Sequence, residues 1–332
     1  EIDEQIGGVH GATVPAPPKP IRRRVRGTLG VMPRATLPNA IEIEYDTFGS
    51  PSDPALLLVA GFTSQLISWD PDLCEMLASR GRYVIRYDNR DCGLSTHLDG
   101  ITVDVERATE IFLFGHDEKI DCPYDLSDMA ADGIGLLDHL GIDRAHVVGM
   151  SMGGMISQEI AIGWPDRVMS LTSIMSHTGD RRHGLATPSL SWKLTRLGDP
   201  DPSNRQSLID NSMQIWQWIS GPTYDEAEAR QWIEAGVDRS IRVQGTARQT
   251  AAIFASRDRT PLLAAVKCPT LVIHGMVDPL VTPSGGRTTA KAVPGSRLIE
   301  FPDMGHDLPL NRIPEMVEEI RRNADRASAA VQ

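Results

Sequence analysis

The sequence predicts an α/β fold: a mostly parallel central sheet flanked by helices, with a helical cap inserted late in the chain. Three observations carry this. Strand-like apolar runs alternate with helical patterns across residues 25–178 and 259–332, and such alternation builds a parallel sheet with helices on both faces. Ala145-His146-Val147-Val148 leads into Gly149-Met150-Ser151-Met152-Gly153, a G-x-S-x-G turn from strand to helix that is the pattern of a nucleophile elbow. The alternation then lapses over residues 179–258, where helical pieces hold Trp192, Trp216, Trp218 and Trp232.

The elements follow in order. Residues 1–24 read as an extended tail, with Gly7, Gly8 and Gly11 before Pro15, Pro17, Pro18 and Pro20. Arg22, Arg23, Arg24 and Arg26 read as a solvated basic cluster, with contact to an anionic membrane surface as the alternative. Ile41, Ile43 and Tyr45 alternate with Glu42, Glu44 and Asp46, as in an edge hairpin with one polar face. Ala55–Val59 is a continuous apolar run, the mark of a central parallel strand, and Tyr83–Tyr87 reads as another buried strand, with a helix at about 69–80 between them. Residues 96–124 are weakly patterned and read as an excursion. Leu126, Met129, Ala130, Ile134, Leu137 and Leu140 keep helical spacing up to Gly141, which ends that helix. After the elbow helix come a strand at Val168–Ser176, the cap, and strands at Thr270–Gly275 and Arg297–Phe301. A helix lies between the last two strands, and another follows Pro314.

Composition excludes some functions. Asp and Glu total 44 against 33 Lys and Arg, a net charge of -11, and nucleic acid as a main partner would need a basic surface. No apolar run is long enough for a transmembrane segment. Cys74, Cys92, Cys122 and Cys268 lack C-x-x-C spacing and read as reduced thiols. A cytoplasmic location is expected, with export left open because the sequence begins at Glu1.

The elbow serine needs a base, and the base needs an orienting carboxylate. In elbow proteins these follow the serine in the order acid, then histidine. Asp278 comes just after the strand 270–275, and His306 after the strand 297–301 in Met304-Gly305-His306-Asp307. The rival acid is Asp180. His177, His183 and His274 are the other downstream histidines, and His274 reads as structural. Two backbone N–H groups should hold the oxyanion. They are assigned to Met152, after the serine, and to Phe62, in the turn after the strand 55–59. The tryptophans of the insertion can pack its own core, floor a pocket, or both. Trp216, Trp218 and Met150 are candidate substrate-binding residues.

The turns Ala60-Gly61-Phe62, Gly149-Met150-Ser151-Met152-Gly153, His274-Gly275-Met276-Val277-Asp278 and Met304-Gly305-His306-Asp307 resemble those of the α/β-hydrolase fold enzymes, over roughly residues 25–325. Arg86-Tyr87-Asp88-Asn89-Arg90-Asp91-Cys92-Gly93-Leu94-Ser95 and Gly305-His306-Asp307-Leu308-Pro309 are similar to the bacterial esterase/lipase group that includes aclacinomycin methylesterase. The resemblance implies hydrolysis of a small-molecule ester through an acyl-enzyme, without metal or organic cofactor. It carries over Ser151, Asp278 and His306 as triad and Phe62 and Met152 as oxyanion donors. This chain has Ala60-Gly61 where many relatives have His-Gly. An apolar ester is expected from the tryptophan-rich cap. The alternatives are a C–C, thioester or lactone hydrolase or a perhydrolase with the same triad, or a non-catalytic ligand-binding protein on the same fold.

Overall fold

The central apolar runs form strands because each is buried on both faces. A computed structural model describes residues 32–115, 118–240 and 242–329. The expected tail over residues 1–24, with its arginine run, lies outside the described residues. The chain runs β1 (Arg34–Thr36), β2 (Glu42–Phe48), β3 (Ala55–Val59), α1 (Pro71–Ala78), β4 (Tyr83–Tyr87), α2 (Val105–Phe114), α3 (Leu126–His139), β5 (Ala145–Met150), α4 (Met152–Gly163) and β6 (Val168–Ile174). It continues through α5 (Pro188–Leu197), α6 (Arg205–Ile219), α7 (Glu226–Arg239), α8 (Val243–Ala255), α9 (Thr260–Leu263), β7 (Thr270–Gly275), α10 (Pro283–Ala292), β8 (Arg297–Phe301) and α11 (Ile313–Ala329).

Among the described residues, these strands make one sheet in the order β1-β2-β4-β3-β5-β6-β7-β8. β1 and β2 pair antiparallel, as do β2 and β4, and every later pairing is parallel. Successive side chains of β3 serve opposite layers, as strand geometry requires. Leu57 and Val59 pack with Ile134, Leu137, Met155 and Ile156 of α3 and α4. Leu56 and Leu58 pack with Leu73, Leu77, Met316 and Val317 of α1 and α11. The chain leaves β3 toward β4 on one side and returns to β5 on its other side. That reversal opens a crevice beyond the carboxyl ends of β3 and β5, where open α/β sheets bind their ligands.

α3 starts on a capping box formed by Asp125 and Asp128, which satisfies two otherwise orphaned N–H groups. The expected excursion at 96–124 contains α2, which the weak pattern hid. α2 buries only Ala108 and Ile111, stacks Phe112 on Phe254 of α8, and leaves Leu113 and Phe114 exposed. The apolar spacing is therefore split between two environments. The edge hairpin forms as expected, but its polar face is not all solvated. Glu44 is 4% exposed, because its backbone N–H donates to Ser95 Oγ and its carboxylate lies between Arg34 and Arg239 of α7. The insertion thus reaches the far edge of the sheet. No helix among the described residues is long and apolar enough to cross a membrane.

One buried group ties this fold to pH. His146 on β5 shares a hydrogen bond between Nδ1 and Ser170 Oγ. Burial, with the charge of Arg82 second, pushes its imidazole down to about 4. Unfolded, it titrates near 6.5. Between those values the unfolded chain binds the extra proton, so stability falls as pH drops through the window, by up to about 1.4 kcal/mol per pH unit from this group. Urea midpoints at pH 7 and pH 4.5 should show a smaller loss in His146→Asn than in wild type.

Candidate active site

The elbow is built from close backbone contacts. β5 ends at Met150, and Ser151 sits at φ 54°, ψ -122°, a conformation costly for any residue with a Cβ. Two glycines make it attainable. A methyl on Gly149 would run into the Gly153 carbonyl, and one on Gly153 into the Val59 carbonyl. The Ser151 N–H donates to Ile174 O at 2.9 Å, and its carbonyl accepts from Gly154 and Met155. The side chain therefore projects from the first turn of α4, whose dipole favours negative charge.

Asp278 follows β7. Its Oδ1 accepts from the N–H groups of Leu280 and Val281, both at 2.9 Å, which leaves Oδ2 for His306 Nδ1 at 2.8 Å. His306 follows β8, and its Nε2 lies 2.8 Å from Ser151 Oγ. Asp278 is 2% exposed and His306 5%. The histidine loop is also held from the insertion. The His306 N–H donates to Ile219 O at the end of α6, and the Gly221 and Gly305 N–H groups both donate to Asp307 Oδ1.

The rival groups are engaged elsewhere. Asp180 accepts from Arg182 and meets His183. His274 Nε2 donates to Val281 O at 2.7 Å, 3.6 Å from Asp278 Oδ2. Burial lowers its basicity. His177 is pushed down to about 3 by burial and accepts the Gly179 N–H.

The turn carrying Phe62 lies against the serine: a Cβ on Gly61 would sit 3.2 Å from Ser151 Cβ. Met152 opens α4 directly after it. A cavity of about 200 Å³ is lined by Phe62, Met150, Ser151, Trp216, Trp232 and His306, among others. Two further cavities, of about 420 and 380 Å³, adjoin it. Trp216 and Trp232 line all three. Their rings meet edge to face at 4.8 Å.

The structure thus brings Ser151, Asp278, His306, Phe62, Met150 and Trp216 to one crevice, with Met152 next to the serine in the chain and its side chain in the core. Trp218 lies apart from them. It is absent from these cavity walls, its ring faced instead by the Lys193 ammonium at 5.4 Å. Two residues apart on a helix, Trp216 and Trp218 cannot share a face. Sequence reading missed Arg248 and Gln249 of α8, both buried. Arg248 makes a bidentate pair with Asp91, at 2.7 and 2.6 Å. Gln249 bridges the loops after β3 and β4. The available signal was a polar pair beside the apolar Ala251-Ala252.

Comparison with known proteins agrees with this architecture. A family model described as alpha/beta hydrolase fold matches residues 54–312. A rhodomycin D methylesterase of Streptomyces peucetius is 29% identical over 301 residues, covering 84% of this chain and 94% of its own. A second, from Streptomyces sp. strain C5, is 30% identical over 282 residues, covering 79% of this chain and 88% of its own. The crystal structure of an esterase from Rhodococcus sp. ECU1013 superposes with a TM-score of 0.69 at 19% identity, over 89% of this chain and 98% of that one. The chain belongs to the alpha/beta hydrolase fold family.

Proposed function

We propose that this protein hydrolyses carboxylic esters through a serine acyl-enzyme. The observation that carries the reading is the relay of contacts from Ser151 Oγ to His306 Nε2 and from His306 Nδ1 to Asp278 Oδ2, each at 2.8 Å. Ser151 Oγ attacks the ester carbonyl as His306 takes its proton. Asp278 fixes the tautomer and stabilises the imidazolium. The tetrahedral oxyanion accepts hydrogen bonds from the Phe62 and Met152 N–H groups, each worth about 3 kcal/mol in the transition state. Collapse expels the alcohol, which leaves with the proton from His306. Water then attacks the acyl-enzyme by the same route, releasing the acid and regenerating Ser151. The choice of an ester is supported by the two Streptomyces relatives, which are named for cleaving one.

The chamber beside Ser151 suits the small part of an apolar ester, and the adjoining cavities suit a larger part. A fluorophosphonate probe should label the protein, with the adduct mapping to Ser151. A folded protein that fails to label would overturn the reading. Trp216→Ala should merge the chamber with its neighbours. The ratio of kcat/KM for methyl esters of bulky aromatic polycycles to that for nitrophenyl acetate should then rise by about 10-fold, as a graded ester panel would measure.

A further inference from the structure

The turn assigned to the oxyanion is held in a conformation its own sequence disfavours. The Ser64 N–H donates to Gly61 O at 3.2 Å, closing a four-residue turn around Phe62 and Thr63. Thr63 has φ +55°, while Phe62 is not among the residues with positive φ. A negative φ followed by a positive one is the type II form, which asks for glycine where this chain has threonine. For a β-branched residue, the left-handed region is a genuine outlier. Such an outlier persists only where its surroundings over-determine it.

The surroundings that do so come from the insertion. Gln249 of α8 is fully buried. Its Oε1 accepts the Thr63 N–H at 2.9 Å, and its Nε2 donates to Arg90 O at 2.9 Å. Arg90 is itself fixed, its guanidinium gripping both oxygens of Asp132 on α3 at 2.6 and 2.7 Å. On the other side of the same peptide, Ser64 Oγ donates to Phe62 O at 3.3 Å. The central peptide of the turn is thus clamped at its N–H from the insertion and at its C=O from its own loop. Turning that peptide over would relieve Thr63 and give the commoner type I form, but would point the Phe62 carbonyl toward Gln249 Oε1, oxygen against oxygen.

We infer that Gln249 is a positioning residue for the oxyanion hole: by holding the Thr63 N–H it locks the Gly61–Ser64 turn in its type II form and pins it against the Arg90 loop, and so sets where the turn, with the Phe62 N–H it carries, lies relative to Ser151. Gln249 touches no reacting atom, and its effect passes through the Thr63 peptide. The inference rests on the ester-hydrolase reading above, with Phe62 as a donor.

Gln249→Met keeps the length of the side chain and removes both polar contacts. Its kcat on a nitrophenyl ester should fall about 10- to 100-fold, part of the 10²- to 10³-fold loss seen when an oxyanion donor is removed outright, while KM changes less than about threefold because the donor acts mainly in the transition state. The decisive readout is rescue. Thr63→Gly in the Gln249→Met background removes the Cβ penalty on the left-handed conformation and should restore kcat about fivefold or more. A merely structural role would not respond to that glycine. Should the Met variant not fold, Gln249→Asn keeps both polar groups but is one methylene too short to span them, and its kcat should fall about 10-fold. Wild-type kcat in a folded Met or Asn variant overturns the inference, as does a loss that the glycine leaves unrepaired. If wild-type protein shows no Ser151-dependent ester turnover, the ester-hydrolase reading fails and this inference with it.

Discussion

Ser151→Ala is expected to lower ester turnover by about 10⁴- to 10⁶-fold, the range found when a triad member is removed. The residue left behind keeps the backbone at φ 54°, ψ -122° and the glycine contacts that hold the elbow, so the folded state should survive. What disappears is the hydroxyl that donates to His306 Nε2 at 2.8 Å and the covalent route through it. Rate enhancement should remain above that of water, since the N–H groups of Phe62 and Met152 still address the carbonyl oxygen. Steady-state kinetics on nitrophenyl esters, beside a thermal melt, checks both halves. A folded alanine variant with a tenth of wild-type activity would remove the serine from the mechanism.

The largest expected loss of stability lies away from the chemistry. Arg248→Met should destabilise the protein by about 3–5 kcal/mol, because it strands the Asp91 carboxylate in the interior. Arg248 is 1% exposed and Asp91 4%. Besides its two bonds to Asp91, Arg248 donates to Ile101 O at 2.7 Å. The Leu98 N–H, at 2.9 Å, still reaches Asp91 Oδ1 but leaves a net charge uncompensated. Replacing both members, as Arg248→Met with Asp91→Asn, should recover much of the loss, since the penalty belongs to the orphaned charge more than to the missing attraction. Denaturant midpoints across the four proteins of a double-mutant cycle give that coupling directly. Equal losses in the single and double variants would show that packing, not charge, dominates.

The parts legible in the sequence were those with local periodicity or tight turn chemistry. β3 shows as an unbroken apolar run, and β4, β5 and β7 as runs broken only by Arg86, by His146 and by Thr270 and His274, because both faces are covered. Ser151, Asp278 and His306 could be assigned because each falls just after a strand, where a parallel sheet gathers its loops. What stayed hidden depends on contacts across long separations. Glu44 reads as an exposed strand residue until Arg239, almost two hundred positions on, lies over it. Thr63 reads as an ordinary loop residue, since nothing nearby announces its positive φ, and its partner Gln249 sits 186 residues away. Trp216 and Trp218 read alike by composition, and only the register of α6 separates the one that lines the chamber from the one that faces Lys193.

The arginines that fasten the insertion also limit how this protein can be re-engineered. Arg239 pairs with Asp88 at 2.7 Å, Arg248 with Asp91, and Arg257 with Glu159 of α4 at 2.5 Å. Each carboxylate belongs to the part built around the sheet and each guanidinium to the segment 179–258, between β6 and β7. A chimera that grafts a foreign segment onto this base would leave Asp88 and Asp91 without counter-ions and Glu159 with Arg259 alone, and one that moves this segment to another base would strand its arginines instead. New substrate preferences are better sought by recasting the side chains that face the chambers, with the clasps between the two parts left in place.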